Sequence, residues 1–195
     1  MRPGAWAISI VSLAALVGAA GCSKSGGGAT NGAPGASGPA AGGFAFAADP
    51  CQVVFDSTLA VLKHDHAVDM TLPAATGAGK QSQLIQVGGK TYIQVDGAWT
   101  VSKMSVDDEV AMINANKKTA ATTCKASGDD TVDGQPVAVY DTHIVNEGST
   151  SDNRLWISKL TGLPLKIETH LADGGVGAQH MRYGGVTAPA LTDAQ

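Results

Sequence analysis

The residues of this chain whose types could do chemistry are three cysteines, Cys22, Cys51 and Cys124, and the string His64-Asp65-His66. Alternate residues of a strand point the same way, so His64 and His66 could offer two imidazoles to one metal ion. The competing reading is a helix-to-strand junction with polar side chains in water, because the other histidines, His143, His170 and His180, stand far along the chain. There is no C-x-x-C for dithiol exchange and no G-x-S-x-G, and no serine stands at a marked strand-to-helix turn. Gly77-Ala78-Gly79-Lys80 fails as a phosphate loop, since Ala74 stands where the first glycine is needed and Gln81 follows the lysine. Asp107-Asp108-Glu109 reads as a helix N-terminus and Asp129-Asp130 as a solvated turn. We therefore expect no catalytic residue, no metal and no cofactor, in a protein that is not an enzyme.

Cys22 has a different context. Arg2 precedes an apolar run from Ala5 to Ala20 that is too short and small-sided to span a bilayer, and residues 1–21 read as an export signal. Ala19-Ala20-Gly21-Cys22 resembles the lipobox of bacterial lipoproteins, with Ala19 where leucine is commoner. The resemblance implies that Cys22 is acylated and anchors the chain to a membrane. Ser23 in place of aspartate implies sorting to the outer membrane of a Gram-negative envelope. Plain secretion with an incidental thiol is the alternative. With Cys22 committed to lipid, Cys51 and Cys124 remain as an even pair in an oxidising compartment, so a disulfide is expected over two buried free thiols.

Arg2 is the only charge before Cys22, which leaves 12 basic against 17 acidic residues after it. No Lys/Arg cluster occurs, and a nucleic-acid partner is excluded for want of a basic face. Residues 22–48 form a Gly/Ala/Ser/Pro tether with Lys24 as its only charge; as a flexible coil it reaches roughly 25–30 Å. Phe44 and Phe46 interrupt it, either docking onto the domain or remaining unstructured.

From Asp49 to the end the pattern is that of a single domain. Asp49-Pro50 opens a helix as N-cap and first residue, with Cys51, Phe55, Leu59 and Leu62 on one face and an end near Lys63-His64. Alternation of Val68, Met70 and Leu72 against Asp69 and Thr71 predicts a strand. Leu84–Val87, Thr91–Val95 and Trp99–Lys103 form a meander turned by Gly88-Gly89 and Asp96-Gly97. Ser105 and Asp108 make a capping box for a second helix, with Val106, Val110 and Ile113 as its apolar stripe. After Cys124 come strands at Val137–Ile144, Leu155–Leu160, Leu165–Leu171 and Gln179–Val186, with Asn146–Asn153 as a polar loop. The fold class is α+β: one antiparallel sheet of about eight strands with two helices on one face.

The hairpin Arg154 to Glu168, RLWISKLTGLPLKIE, resembles the late hairpin of the LolA/LolB-like periplasmic superfamily. So do the element order and a final strand carrying MRYGGV, Met181 to Val186. The resemblance implies an incomplete β-barrel, a curved sheet with helices in its open mouth, and acyl chains or hydrophobic peptides bound between them. Two departures stand out: the family's soluble carrier has no anchor, and the loops Thr76–Gly79 and Gly148–Asp152 are polar or small where the family's acceptor has an apolar loop. Met70, Ile85, Ile93, Val95, Trp99, Leu155, Ile157 and Ile167 are the residues that would either pack a closed core or line a cavity. Two functions follow. One is a lipid-anchored envelope protein whose ligand is an acyl chain, lipid or lipoprotein tail. The other is a structural or protein-interaction lipoprotein, including a surface-exposed one, with a closed core; a cavity of several hundred Å3 would favour the first.

Overall fold

The computed structural model describes residues 43–73, 79–146 and 149–191, with only the backbone of residues 116–119. Cys22, the export signal, the tether as far as residue 42 and most of the loop Thr76–Gly79 lie outside the described residues.

Helix α1 spans Pro50–Val61. The Asp49 carboxylate accepts from the amides of Cys51 at 2.8 Å and Gln52 at 3.3 Å, satisfying two of the four amides a helix start leaves unpaired. Gln52 turns its own side chain to Asp56 and makes no return bond to the cap. The helix buries Val53, Val54, Phe55 and Val61, each worth roughly 1.5–3 kcal/mol of transfer free energy. Ser57 and Thr58 lie on the same buried face because their hydroxyls donate to the Val54 carbonyl at 2.8 and 2.9 Å.

Strands β1 (His66–Thr71), β2 (Gln81–Val87), β3 (Lys90–Val95) and β4 (Ala98–Val101) follow as a meander. Asp96 and Gly97 both adopt positive φ, at 51° and 83°, as the two-residue turn joining β3 to β4 requires. Helix α2 (Val106–Thr119) opens on the expected box: the Ser105 hydroxyl accepts from the Asp108 amide at 3.1 Å, and the Asp108 carboxylate accepts from the Ser105 amide at 3.0 Å. A second meander follows, β5 (Ala121–Val132), β6 (Gln135–Asn146), β7 (Ser149–Ser158), β8 (Pro164–Leu171) and β9 (Val176–Tyr183). The last strand lies antiparallel to the first, so the order across the sheet is β4-β3-β2-β1-β9-β8-β7-β6-β5. The sheet is open, curved and entirely antiparallel, the half-barrel arrangement that the hairpin's resemblance implied.

Two sequence readings are corrected. Residues 121–132, including the supposed solvated turn Asp129-Asp130, form a long strand, and the described residues make a sheet of nine strands where about eight were expected. The segment ATTCKASGDDTV shows no apolar alternation because it is an edge strand, almost wholly exposed and kinked by a bulge between Ala126 and Gly128. Of the supposed loop Asn146–Asn153, Asn146 is the end of β6 and Ser149 to Asn153 are the start of β7. Its polarity has two causes. One face meets solvent, and on the other a buried ladder joins Thr142, Asn153 and Thr169: Asn153 donates to Thr142 at 3.2 Å and accepts from Thr169 at 2.8 Å.

Helix α1 crosses the concave face like a strap. Its first turn is bonded to edge strand β5 through the disulfide Cys51–Cys124, with Cα atoms 5.1 Å apart. Beyond its last turn the Leu62 carbonyl accepts from the Gln86 side chain on β2 at 2.9 Å. Between these ends Val53, Val54 and Phe55 pack into a core with Tyr140, Leu155, Ile157, Ile167 and Met181. The two phenylalanines before the helix dock: the Phe44 amide donates to the Lys159 carbonyl at 2.8 Å, and Phe46 meets Tyr140 edge-on at 6.2 Å between centroids. Gly162, at φ 73°, lies beneath the Phe44 ring, where a Cβ would come within 2.7 Å.

The disulfide closes a separation of 73 residues, for which chain entropy gives a stabilisation of about 4 kcal/mol. Replacing both cysteines by serine should lower the urea-unfolding free energy by about 2–4 kcal/mol with the far-ultraviolet circular dichroism retained. An unchanged midpoint would show that α1 holds the β5 edge without the bond.

Candidate functional site

On a strand only alternate residues face one side, and the register brings the same parity together across the sheet. Val68 is opposite Leu84 on β2 and Met181 on β9, and Leu84 is opposite Ile93 on β3. These side chains, with Met70 and His66, floor a cavity of about 200 Å3 on the concave side. Its wall comes from Thr58, Val61 and Leu62 at the end of α1, and its roof from Glu109, Met112 and Ile113, one face of α2. Ser102 and Met104 close the side next to β4. The lining is mostly aliphatic and thioether carbon, and among the described residues it contains no lysine or arginine.

Two ionisable groups face this apolar space. His66 is buried, its Nδ1–H donating to the His64 carbonyl at 2.9 Å, so that Nε2 is the acceptor nitrogen. Burial pulls its pKa below the ordinary 6.5, against smaller opposing effects of that hydrogen bond and of Asp65. Glu109 is half-buried, and desolvation raises its pKa above the ordinary 4.5, partly countered by the Thr91 hydroxyl, which donates to Oε1 at 3.5 Å. Thr91 is itself buried. The site can therefore hold an apolar chain and offer a hydrogen-bonding end.

The eight residues singled out from the sequence do not share one cavity. Met70 and Ile93 line it. Leu155, Ile157 and Ile167 are fully buried in the solid core under α1. Ile85 lies between the lining residues Leu84 and Gln86 and so faces the other side of the sheet; Trp99, opposite Gln94, does likewise. Val95 shares the parity of Ile93 but stands at the hairpin end, outside the lining. Glu109, Met112 and His66 were missed as lining residues. The spacing 109, 112, 113 on α2 is a helical face, but a glutamate within it reads as solvent-facing until a sheet is seen opposite.

His64 and His66 do not converge on a point: His66 is turned to a backbone carbonyl, and among the described residues no group of three or more His, Cys, Asp or Glu side chains could hold a metal ion. A larger groove of about 440 Å3 lies on the convex face along β5 to β8. Within it Arg154 pairs with Asp141 through two bonds at 2.7 and 3.2 Å, and the His143 ring bonds to Asp152 at 2.7 Å. The Arg154 bond holds the Asp141 carboxyl below its usual range. All four side chains are solvent-accessible, so these pairs contribute little to stability.

No family model matches the sequence, and no curated protein matches it. Among solved structures the chain is similar to LprF from Mycobacterium bovis, at 12% identity and a TM-score of 0.44, over 71% of this chain and 95% of that one. It is similar to lipoprotein LppX from Mycobacterium tuberculosis at 9% identity and a TM-score of 0.44, over 72% and 99%. A putative outer membrane lipoprotein-sorting protein domain from Vibrio parahaemolyticus is similar at 9% identity and a TM-score of 0.28, over 70% and 93%.

The His66 shift carries a sign. Its folded pKa is lowered, so as pH falls through the unfolded value of about 6.5 the unfolded chain takes up a proton first, and stability present above that pH is lost below it. Glu109 acts oppositely: its folded pKa is raised, so its contribution is present below the unfolded value and lost as pH rises through the folded one. Urea unfolding of Glu109→Gln between pH 7.5 and 4.5 should therefore show a steeper loss on acidification than the parent chain. His66→Gln, which keeps a donor toward the His64 carbonyl, should show a shallower one. The reverse ranking would mean that neither group is held as described.

Proposed function

We propose that this chain is an exported, non-enzymatic lipoprotein of a Gram-negative envelope, acylated at Cys22 and held at the outer membrane, whose folded domain binds a small or single-chain hydrophobic ligand. The observation that carries the reading is the apolar cavity left open between α2, the end of α1 and strands β1 to β3. A packed core would have closed it, since side chains of these sizes interdigitate without voids larger than a water when nothing else is to be accommodated. At about 200 Å3 it lies below the 300–1,000 Å3 range of sites for drug-sized molecules, and a water-sized group takes about 30 Å3. Room for about six or seven such groups suits part of one acyl chain and not a multi-chain lipid.

The anchor rests on the sequence: the small-residue run before Cys22, the serine after it, and a Gly/Ala/Ser/Pro tether of which only the last residues, Phe44 and Phe46, are seen docked. Such a tether lets the domain move a few tens of ångströms from the membrane while remaining attached.

Cys22→Ser should abolish labelling by radioactive palmitate and move the protein from the membrane pellet to the soluble envelope fraction; retention in the pellet would overturn the anchor. For the cavity, the uncharged dye N-phenyl-1-naphthylamine should brighten on binding the detergent-free Cys22→Ser chain. Met70→Trp, which fills the cavity from β1, should weaken that binding about tenfold or more without altering the far-ultraviolet spectrum. Equal dye binding by both proteins would place the ligand elsewhere.

A further inference from the structure

The polar groups of the cavity are one-sided in charge. From α2 comes the Glu109 carboxyl, from α1 Thr58, from β1 the buried His66, from β2 Gln86, from β3 Thr91, from the β4–α2 connection Ser102 and from β9 Gln179. Several of these are already engaged. The Gln86 amide donates to the Leu62 carbonyl at 2.9 Å, the Ser102 hydroxyl accepts from the Met104 amide at 3.1 Å, and Thr91 donates to Glu109 Oε1. His66 is kept neutral by burial and presents an acceptor nitrogen. Among the described residues no cation faces the space, so a carboxylate-headed ligand would find no counter-charge among them and would meet a second carboxylate in a poorly hydrated setting. A hydroxyl or amide head, in contrast, can donate to the Glu109 oxygen that Thr91 does not take, a charge-assisted bond stronger than one between neutral groups.

We propose that the cavity selects a single-chain amphiphile with an uncharged, hydroxyl- or amide-bearing head over the free fatty acid of the same chain length, and that Glu109 is the residue that selects. This rests on the reading of the cavity as a ligand site and adds the chemistry of the head group. The part of the chain next to the head lies among Val68, Met70, Ile93 and Met181, and the head rests under the first turn of α2, between Glu109 and Thr91. The same arrangement explains why a glutamate is tolerated on the face of α2 that points at the sheet: its oxygens are solvated by the Thr91 hydroxyl on one side and by the ligand head on the other.

The test compares glycerol monolaurate with laurate, two twelve-carbon probes that differ only in the head, as competitors for N-phenyl-1-naphthylamine bound to the whole chain carrying Cys22→Ser at pH 8. Glycerol monolaurate should displace the dye at a concentration about tenfold or more below that of laurate. Glu109→Gln should narrow the difference to about threefold or less by improving laurate. Glu109→Lys, whose long side chain can reach water, should reverse the order, and serves if the glutamine variant does not fold. Equal displacement by both probes or a preference for laurate in the parent chain, or a preference for glycerol monolaurate that survives undiminished in both variants, would overturn the selection while leaving the cavity as a ligand site. Absence of dye binding and of displacement by either probe would instead overturn the ligand site itself.

Discussion

The pairing of β9 with β1 is the constraint on which the rest of the molecule depends. It joins residues more than a hundred positions apart, such as Val68 with Met181, and turns two local meanders into one sheet. Once it forms, the concave face is wide enough for α1 to cross from β5 to β2. The chain from β4 to β5 must then pass from one outer edge of the sheet to the other, and α2 lies on that path. The cavity is the space beneath that crossing helix, and its floor is completed only when β9 brings Met181 and Gln179 beside the first meander. Such non-local pairing has to be reached before its contacts repay the closure entropy, which makes slow folding the expectation and gives the disulfide a role in holding the far edge.

The two halves of the concave face are finished differently. Under α1, Leu155, Ile157 and Ile167 are sealed, and even the polar residues of the floor, Thr142, Asn153 and Thr169, satisfy one another. Under α2 the fill is incomplete and thioethers predominate at its edges, with Met70, Met104, Met112 and Met181 all facing the space. Methionine side chains are flexible and polarisable and adjust to ligands of irregular shape. A raised glutamate and a lowered histidine at the same place cost stability that a closed apolar core would have retained. Departures from optimal packing that gather in one part of an otherwise well-filled domain are the usual mark of a binding region.

Much of the architecture was legible before any coordinates. The cap at Asp49, the box at Ser105 and Asp108, the Asp96-Gly97 turn and the Leu-Trp-Ile strand are local signals, set by backbone groups that must be satisfied within a few residues, and each appears where the sequence puts it. The errors fell where a strand lacks an apolar face. β5 is polar because it is an edge, and the start of β7 is polar because its inward residues belong to a hydrogen-bonded ladder. Periodicity of apolar residues cannot report either case.

By itself the sequence determined the class of element at most positions and the pairing of Cys51 with Cys124 by arithmetic. Those are matters of local chemistry and composition. Only the tertiary structure decided which apolar residues are core and which are lining. Met70 and Leu155 are indistinguishable as strand residues, yet one faces open space and the other is sealed, because α1 covers β7 and stops short of β1's far end. It also decided that Glu109, one of three acidic residues in a row, is the one that looks inward. That depends on the angle at which a helix crosses a sheet, a quantity set by packing over the whole domain and written at no single position.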